Sequence, residues 1–198
     1  AIAEALVASN PTDTEWQFDL SGSYINVGDV QVAQGDGAAA LAAYRRALAI
    51  RETLAALDPA NTNWQRDLAV TQNRIGEVLV TRGDGLGAMV AYRRGLAIAE
   101  RLAARDPANA ASQFDLSVSH EKVGDVLLAQ GEVQEALASY RKSLTIAEAL
   151  AALDPTNAEW QSGLSVSYAK TGDALAAFRK SLAIREALAA RDPANTQW

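Results

Sequence analysis

Trp16, Trp64 and Trp160 stand on a lattice of 48 residues, with Ser112 in the remaining place. Each opens a similar phrase: Trp16-Gln17-Phe18-Asp19-Leu20, Trp64-Gln65-Arg66-Asp67-Leu68, Ser112-Gln113-Phe114-Asp115-Leu116 and Trp160-Gln161-Ser162-Gly163-Leu164. Other columns keep the same step, among them Gly28, Gly76, Gly124 and Gly172, then Gly35, Gly83 and Gly131, then Tyr44, Tyr92 and Tyr140, and Pro11, Pro59, Pro107 and Pro155. A fixed period of this size marks stacked structural units, each too small to bury its apolar face alone. Ala1-Ile2-Ala3-Glu4 aligns with Ala97-Ile98-Ala99-Glu100, and Trp198 aligns with the start of a unit. The expectation is an excerpt of a longer array, beginning inside one unit and stopping at the threshold of another.

Each unit reads as two helices. In the third, residues 112–130 hold no proline and carry apolar side chains at Phe114, Val118, Val123, Val126 and Leu127. Gly131 interrupts, and residues 133–153 resume with Leu137, Tyr140, Leu144 and Leu150. These are helical spacings rather than the alternation of a strand. Asp154-Pro155 ends the second helix, because the residue before proline is pushed out of helical conformation. Asp13, Asn61, Asn109 and Asn157 each stand three residues before the phrase and are the expected N-caps. Gly35, Gly83 and Gly131 fall between the paired helices, where a left-handed residue costs glycine nothing. Gly28, Gly76, Gly124 and Gly172 fall inside the first helix, which predicts a close approach by a neighbouring helix.

About half of the residues are apolar or aromatic, 49%, so a sizeable core is available. The formal charge of −6 argues against nucleic acid, which calls for a basic face. With no cysteine, disulfides and thiolate metal sites are excluded. No apolar run approaches the roughly 20 residues of a membrane span, and the first residues lack the basic start of a secretory signal. The setting expected is cytoplasmic.

The unit resembles the tetratricopeptide repeat. That family places a small residue at its eighth position, Gly at the fifteenth, Ala at the twentieth, an aromatic at the twenty-fourth and a small residue at the twenty-seventh. The third unit supplies Gly124, Gly131, Ala136, Tyr140 and Ser143, the first Gly28, Gly35, Ala40, Tyr44 and Ala47, and the second Gly76, Gly83, Ala88, Tyr92 and Gly95. The unit here is longer than the family's 34 residues, which implies helices of roughly 20 residues, about 30 Å. The resemblance implies an all-α, right-handed α-solenoid of antiparallel helix hairpins. The expected division is the end of a preceding unit at 1–10, units at 11–58, 59–106 and 107–154, a shortened unit at 155–192 and the start of another at 193–198.

The fourth unit departs from its siblings. Gly172-Asp173 runs directly into Ala174-Leu175, so the segment equivalent to Val126 through Glu135, turn glycine included, is missing. Leu164, Tyr168, Leu175, Phe178, Leu182 and Leu188 join into one stripe. This predicts one continuous helix over about 159–191, near 50 Å long, with an irregular kinked hairpin at Gly172-Asp173 as the alternative. An unpaired stripe suggests a homodimer through residues 159–191.

Chemistry finds little support. His120 is the only histidine, and its neighbour Glu121 points about 100° away on a helix, so no metal site is expected. The same lack of His and Cys leaves serine or cysteine triads without a base or nucleophile, so none is expected. The carboxylates recur once per unit, as Asp19, Asp67, Asp115 and Asp29, Glu77, Asp125, whereas an active site is needed once. Gly35-Asp36-Gly37 and Gly83-Asp84-Gly85 read as turns. Arg45-Arg46, Arg93-Arg94, Arg141-Lys142 and Arg179-Lys180 read as a solvated face. No catalytic residue, cofactor or metal is expected.

The resemblance also implies where a partner would sit, because in this family the first helices line a concave groove through their second, fifth, ninth and twelfth positions. Carried over, the second is Gly22, Val70, Val118 and Val166, and the fifth Ile25, Asn73, Glu121 and Ala169. The ninth is Asp29, Glu77, Asp125 and Asp173, and the twelfth Val32, Val80 and Leu128. The candidate groove is therefore Ile25, Asp29, Val32, Val70, Asn73, Glu77, Val80, Val118, Glu121, Asp125 and Leu128. Its acidic row with apolar flanks suits a protein or peptide with basic and apolar residues. Arg74 with Glu77 and Lys122 with Asp125 could equally neutralise that row locally. The expected function is a protein-interaction scaffold within a larger bacterial protein, with self-assembly through the long helix as the rival.

Overall fold

The computed structural model describes residues 2–191, and beyond residue 176 it describes the side chains of only Arg179, Leu182 and Glu186. The expected start of a further unit at 193–198, the stripe residues Phe178 and Leu188, and the aligned Trp198 therefore lie outside the described residues. Among those described there are eight helices and no strand: α1 Ile2–Ser9, α2 Thr14–Ala33, α3 Gly37–Leu57, α4 Thr62–Thr81, α5 Gly85–Arg105, α6 Ala110–Ala129, α7 Val133–Leu153 and α8 Ala158–Arg191. The architecture is all-α, of the α-solenoid type built from helix hairpins.

The ends of these helices follow from short polar side chains and from glycine. Asp13 accepts from the amides of Glu15 and Trp16 at 3.0 Å. Asn61, Asn109 and Asn157 accept from Trp64, Ser112 and Trp160 at 3.1, 3.0 and 3.1 Å. Each satisfies an amide that the first turn leaves without a partner. At the far end, Gly35, Gly83 and Gly131 adopt φ of 78°, 77° and 83°. There the amide of Asp36 bonds the carbonyl of Gln31 and that of Gly35 bonds Val32, both at 2.9 Å, which closes the helix C-terminus with a left-handed residue. Asp36 and Asp84 then cap the second helices through the amides of Ala39 and Gly87, at 2.9 and 2.8 Å.

Hairpins are joined by Asp-Pro turns. Asp58 Oδ1 accepts from the Ala60 amide at 2.9 Å, and Asp154 Oδ1 from Thr156 at 2.9 Å, with proline fixing the turn between. The glutamine of the Trp-Gln phrase ties the next helix back to the last one. Gln65 Nε2 donates to the Ala55 carbonyl at 3.0 Å, and Gln113 Nε2 to Ala103 at 3.4 Å.

Packing divides the chain into two compact units, residues 1–119 and residue 120 onward. In the first, α1 packs on α2, α2 on α3, α3 on α4 and α4 on α5; in the second, α7 packs on α8. Ala40, Leu41, Tyr44, Ala47 and Leu54 form the buried stripe of α3, at helical spacing. Gly28, Gly76 and Gly124 are explained by the tyrosines. A Cβ on them would come within 2.3, 2.4 and 2.6 Å of the rings of Tyr44, Tyr92 and Tyr140. Each ring lies against bare backbone of the first helix of its own hairpin. Arg51 is buried as well, donating to Ser21 Oγ at 3.2 Å, the Asp67 carbonyl at 2.9 Å and Thr71 Oγ1 at 2.7 Å. It thereby joins α2, α3 and α4. Burial holds its pKa below the ordinary value, and nearby Asp67 offsets this only in part.

The shortened unit forms the single helix α8, 34 residues long, and not a kinked hairpin. Nothing between Gly172 and Leu175 supplies the left-handed residue that ends the first helix elsewhere, so the backbone ladder continues.

Candidate functional site

In the first unit, α2, α3 and α4 line an open cleft of about 360 Å³ beside the ninth and twelfth positions. Asp29 and Val32 enter from α2, Tyr44 from α3, and Arg74, Glu77, Val78 and Thr81 from α4. Gly35 of the intervening turn and Gly37, the first residue of α3, complete the lining. At its centre the Tyr44 hydroxyl donates to Asp29 Oδ1 at 2.6 Å, and the Arg74 guanidinium pairs with the same oxygen. One carboxylate thus ties its own hairpin to the first helix of the next. Burial, and then the bond to Asp29, pushes the Tyr44 phenol up to about 12, so it remains a donor throughout the physiological range.

The second unit repeats the arrangement with its own residues. The Tyr140 hydroxyl donates to Asp125 Oδ1 at 2.8 Å, and the Lys170 ammonium of α8 pairs with that oxygen. Lys170 also lies 5.7 Å from the centroid of the Tyr140 ring, within cation–π range. Burial and Asp125 both raise the Tyr140 pKa. In both units the cation comes from 45 residues downstream of the carboxylate.

The candidate groove residues separate into three groups. Val32 and Val80 are exposed, at 48% and 49%, with exposed Glu77 near them on α4, whereas Leu128, Val70 and Val118 are half-buried. Asp29 and Asp125 are half-buried and bridged. The fifth position turns inward at Ile25, Asn73 and Glu121, while Ala169 stays exposed. Ile25 is buried at 7%, and the enclosed Oδ1 of Asn73 lies 2.8 Å from where a Cβ on Gly95 would stand. Glu121 Oε1 accepts from the buried Ser143 hydroxyl at 2.9 Å and from that of Ser167. Among the described residues no group of three or more His, Asp or Glu side chains could hold a metal ion. No helix among them is long and apolar enough to cross a membrane. His120 is buried, 5% exposed.

Tyr44, Arg74, Tyr140 and Lys170 belong to the bridges but not to the expected groove. The signal was a second column at the same step, Arg74, Lys122 and Lys170, offset by 45 residues from Asp29, Glu77 and Asp125.

This repeated bridge of helix hairpins agrees with what comparison finds. The tetratricopeptide repeat signature matches residues 21–58 and 115–187, together more than half of the chain. The chain belongs to the tetratricopeptide repeat family. A crystal structure of BtubC (BKLC) from P. vanneervenii is similar, with a TM-score of 0.56 and 19% identity, over 89% of this tetratricopeptide repeat chain and 66% of that chain. The likeness is one of fold, and this chain spans just under two thirds of the BtubC chain. A crystal structure of MamA is more distant, with a TM-score of 0.44 and 16% identity over 94% of this chain and 86% of that one. No curated protein sequence matches the chain.

Proposed function

We propose that the chain is a protein-binding scaffold that takes a peptide or protein segment along the exposed twelfth-position residues of its first helices. The observation that carries this reading is the pair Val32 and Val80, both about half exposed on successive hairpins, with Val32 lining the 360 Å³ cleft. Solenoids expose an extended surface rather than a closed reaction chamber. Because Asp29 and Asp125 are bridged, the partner's apolar side chains contribute more to binding than its charges. The reading treats the chain as non-catalytic, because the acidic columns recur once per hairpin and two of their members hold hairpins together. It also sets the chain in the cytoplasm.

The test is capture of partners by the wild-type chain and by a Val32→Ser, Val80→Ser double variant. Surface valines contribute little to stability, so the double variant remains folded by circular dichroism and loses at least ten-fold in affinity for the captured peptide. Unchanged affinity would remove the groove reading.

A further inference from the structure

The two halves of α8 belong to different parts of a hairpin. Residues 160–173 carry the first-helix phrase from Trp160 to Gly172-Asp173. Residues 174–191 repeat 40–57 of α3 at thirteen of eighteen positions, differing only at 178, 180, 181, 187 and 191. In the first unit α3 folds back on α2. In α8 the halves are collinear and cannot do so.

Two contacts define how a second helix seats on a first one in hairpin 1. The Tyr44 ring covers Gly28, and Arg51 Nε donates to Ser21 Oγ. α8 contains the counterparts of all four residues: Gly172 with Phe178, and Ser165 with Arg185. Ser165 and Arg185 stand twenty residues apart on one helix, about 30 Å, and cannot meet within a chain. No described atom lies within 4 Å of a Cβ built on Gly172, unlike its counterparts Gly28, Gly76 and Gly124. Ser165 is exposed and Leu182 is 44% exposed.

We propose that α8 pairs antiparallel with α8 of a second copy, so that each copy's residues 174–191 serve as the second helix of the other's fourth hairpin. The register follows from hairpin 1. Residue 36, in its turn, lies midway between Gly28 and Tyr44 and also midway between Ser21 and Arg51. In α8 the midpoint of both corresponding pairs is Leu175. A two-fold axis at Leu175 therefore places Gly172 against the second copy's position 178 and Ser165 against its position 185, twice over, as an isologous interface requires. The missing turn is the cause: a hairpin that cannot close within one chain closes between two. This rests on α8 alone and is independent of the groove reading.

The experiment is light scattering on the whole chain, on a variant with Val-Leu-Leu-Ala-Gln-Gly-Glu-Val-Gln-Glu inserted between Asp173 and Ala174, and on single-cysteine variants. Wild type is expected to have the mass of a dimer. The insertion, which restores the turn, is expected to halve that mass while keeping the helical circular-dichroism signal. Because the chain has no cysteine of its own, Leu175→Cys treated with a short bis-maleimide is expected to give a covalent dimer, and Leu86→Cys is not. A wild-type monomer at the highest soluble concentration would overturn the proposal. So would a dimer that survives the insertion, or cross-linking through position 86 and not 175.

Discussion

The ring of Tyr44 lies so close to Gly28 that a Cβ there would stand 2.3 Å from its Cε1 atom. Tyrosine and glycine are therefore one packing unit, formed again by Tyr92 with Gly76 and Tyr140 with Gly124. Gly28→Ala gains helix propensity of roughly 1 kcal/mol, but it must move a buried ring whose hydroxyl is tied to Asp29. The net expectation is a loss of about 2 kcal/mol. Gly22, on the same helix, has no described atom within 4 Å of a built Cβ, so Gly22→Ala is expected to stabilise by roughly 0.5–1 kcal/mol. Urea denaturation of the two variants, compared with wild type, reads both signs.

The cap of α7 is the weak one. Asp36 and Asp84 accept from the first turns of α3 and α5, while Glu132 at the same place makes no side-chain cap bond. A glutamate is one methylene too long for that geometry. Glu132→Asp is expected to raise stability by about 0.5–1 kcal/mol, visible as an upward shift of the thermal midpoint. A midpoint unchanged or lowered would contradict this explanation.

His120 carries a pH signature. Burial first, and Lys142 second, push its pKa down to about 4 from the ordinary 6.5. The unfolded chain therefore binds the proton before the folded one does. Stability is unaffected above about pH 6.5 and is lost as pH falls towards 4, by about 2 kcal/mol at pH 5. Gln72 is buried at the equivalent place on α4, so glutamine fits. His120→Gln is expected to show a smaller loss between pH 7.5 and pH 5 than wild type, measured by denaturant midpoints at each pH.

Arg51 is the polar joint of three helices. Arg51→Ala removes three hydrogen bonds from a buried charged donor and leaves a cavity, at a cost of about 2–4 kcal/mol. Arg51→Lys is expected to recover less than half of this, because one ammonium cannot reach Ser21, the Asp67 carbonyl and Thr71 with the spread of a guanidinium. Equilibrium unfolding of both variants settles the order.

What was legible in the sequence was local. Asp13 and the three asparagines cap where their spacing from the Trp-Gln phrase placed them, and the three turn glycines are left-handed. The loss of ten residues yields one helix because nothing remains to end it at Gly172. What was not legible depends on stacking. That Ile25 turns inward, or that Lys170 and not only nearby residues answers Asp125, follows from which first helix lies beside which, and no window of sequence states that. Two members of the acidic row, Asp29 and Asp125, fasten one helix to the next.

Asp29 and Asp125 are each shared between a phenol behind and a cation ahead. Loosening one hairpin therefore strips its neighbour of a charge partner while leaving more remote hairpins untouched. Damage in such an array should spread by one step at a time, and a ligand laid across two adjacent hairpins would resist it most at the seam it spans.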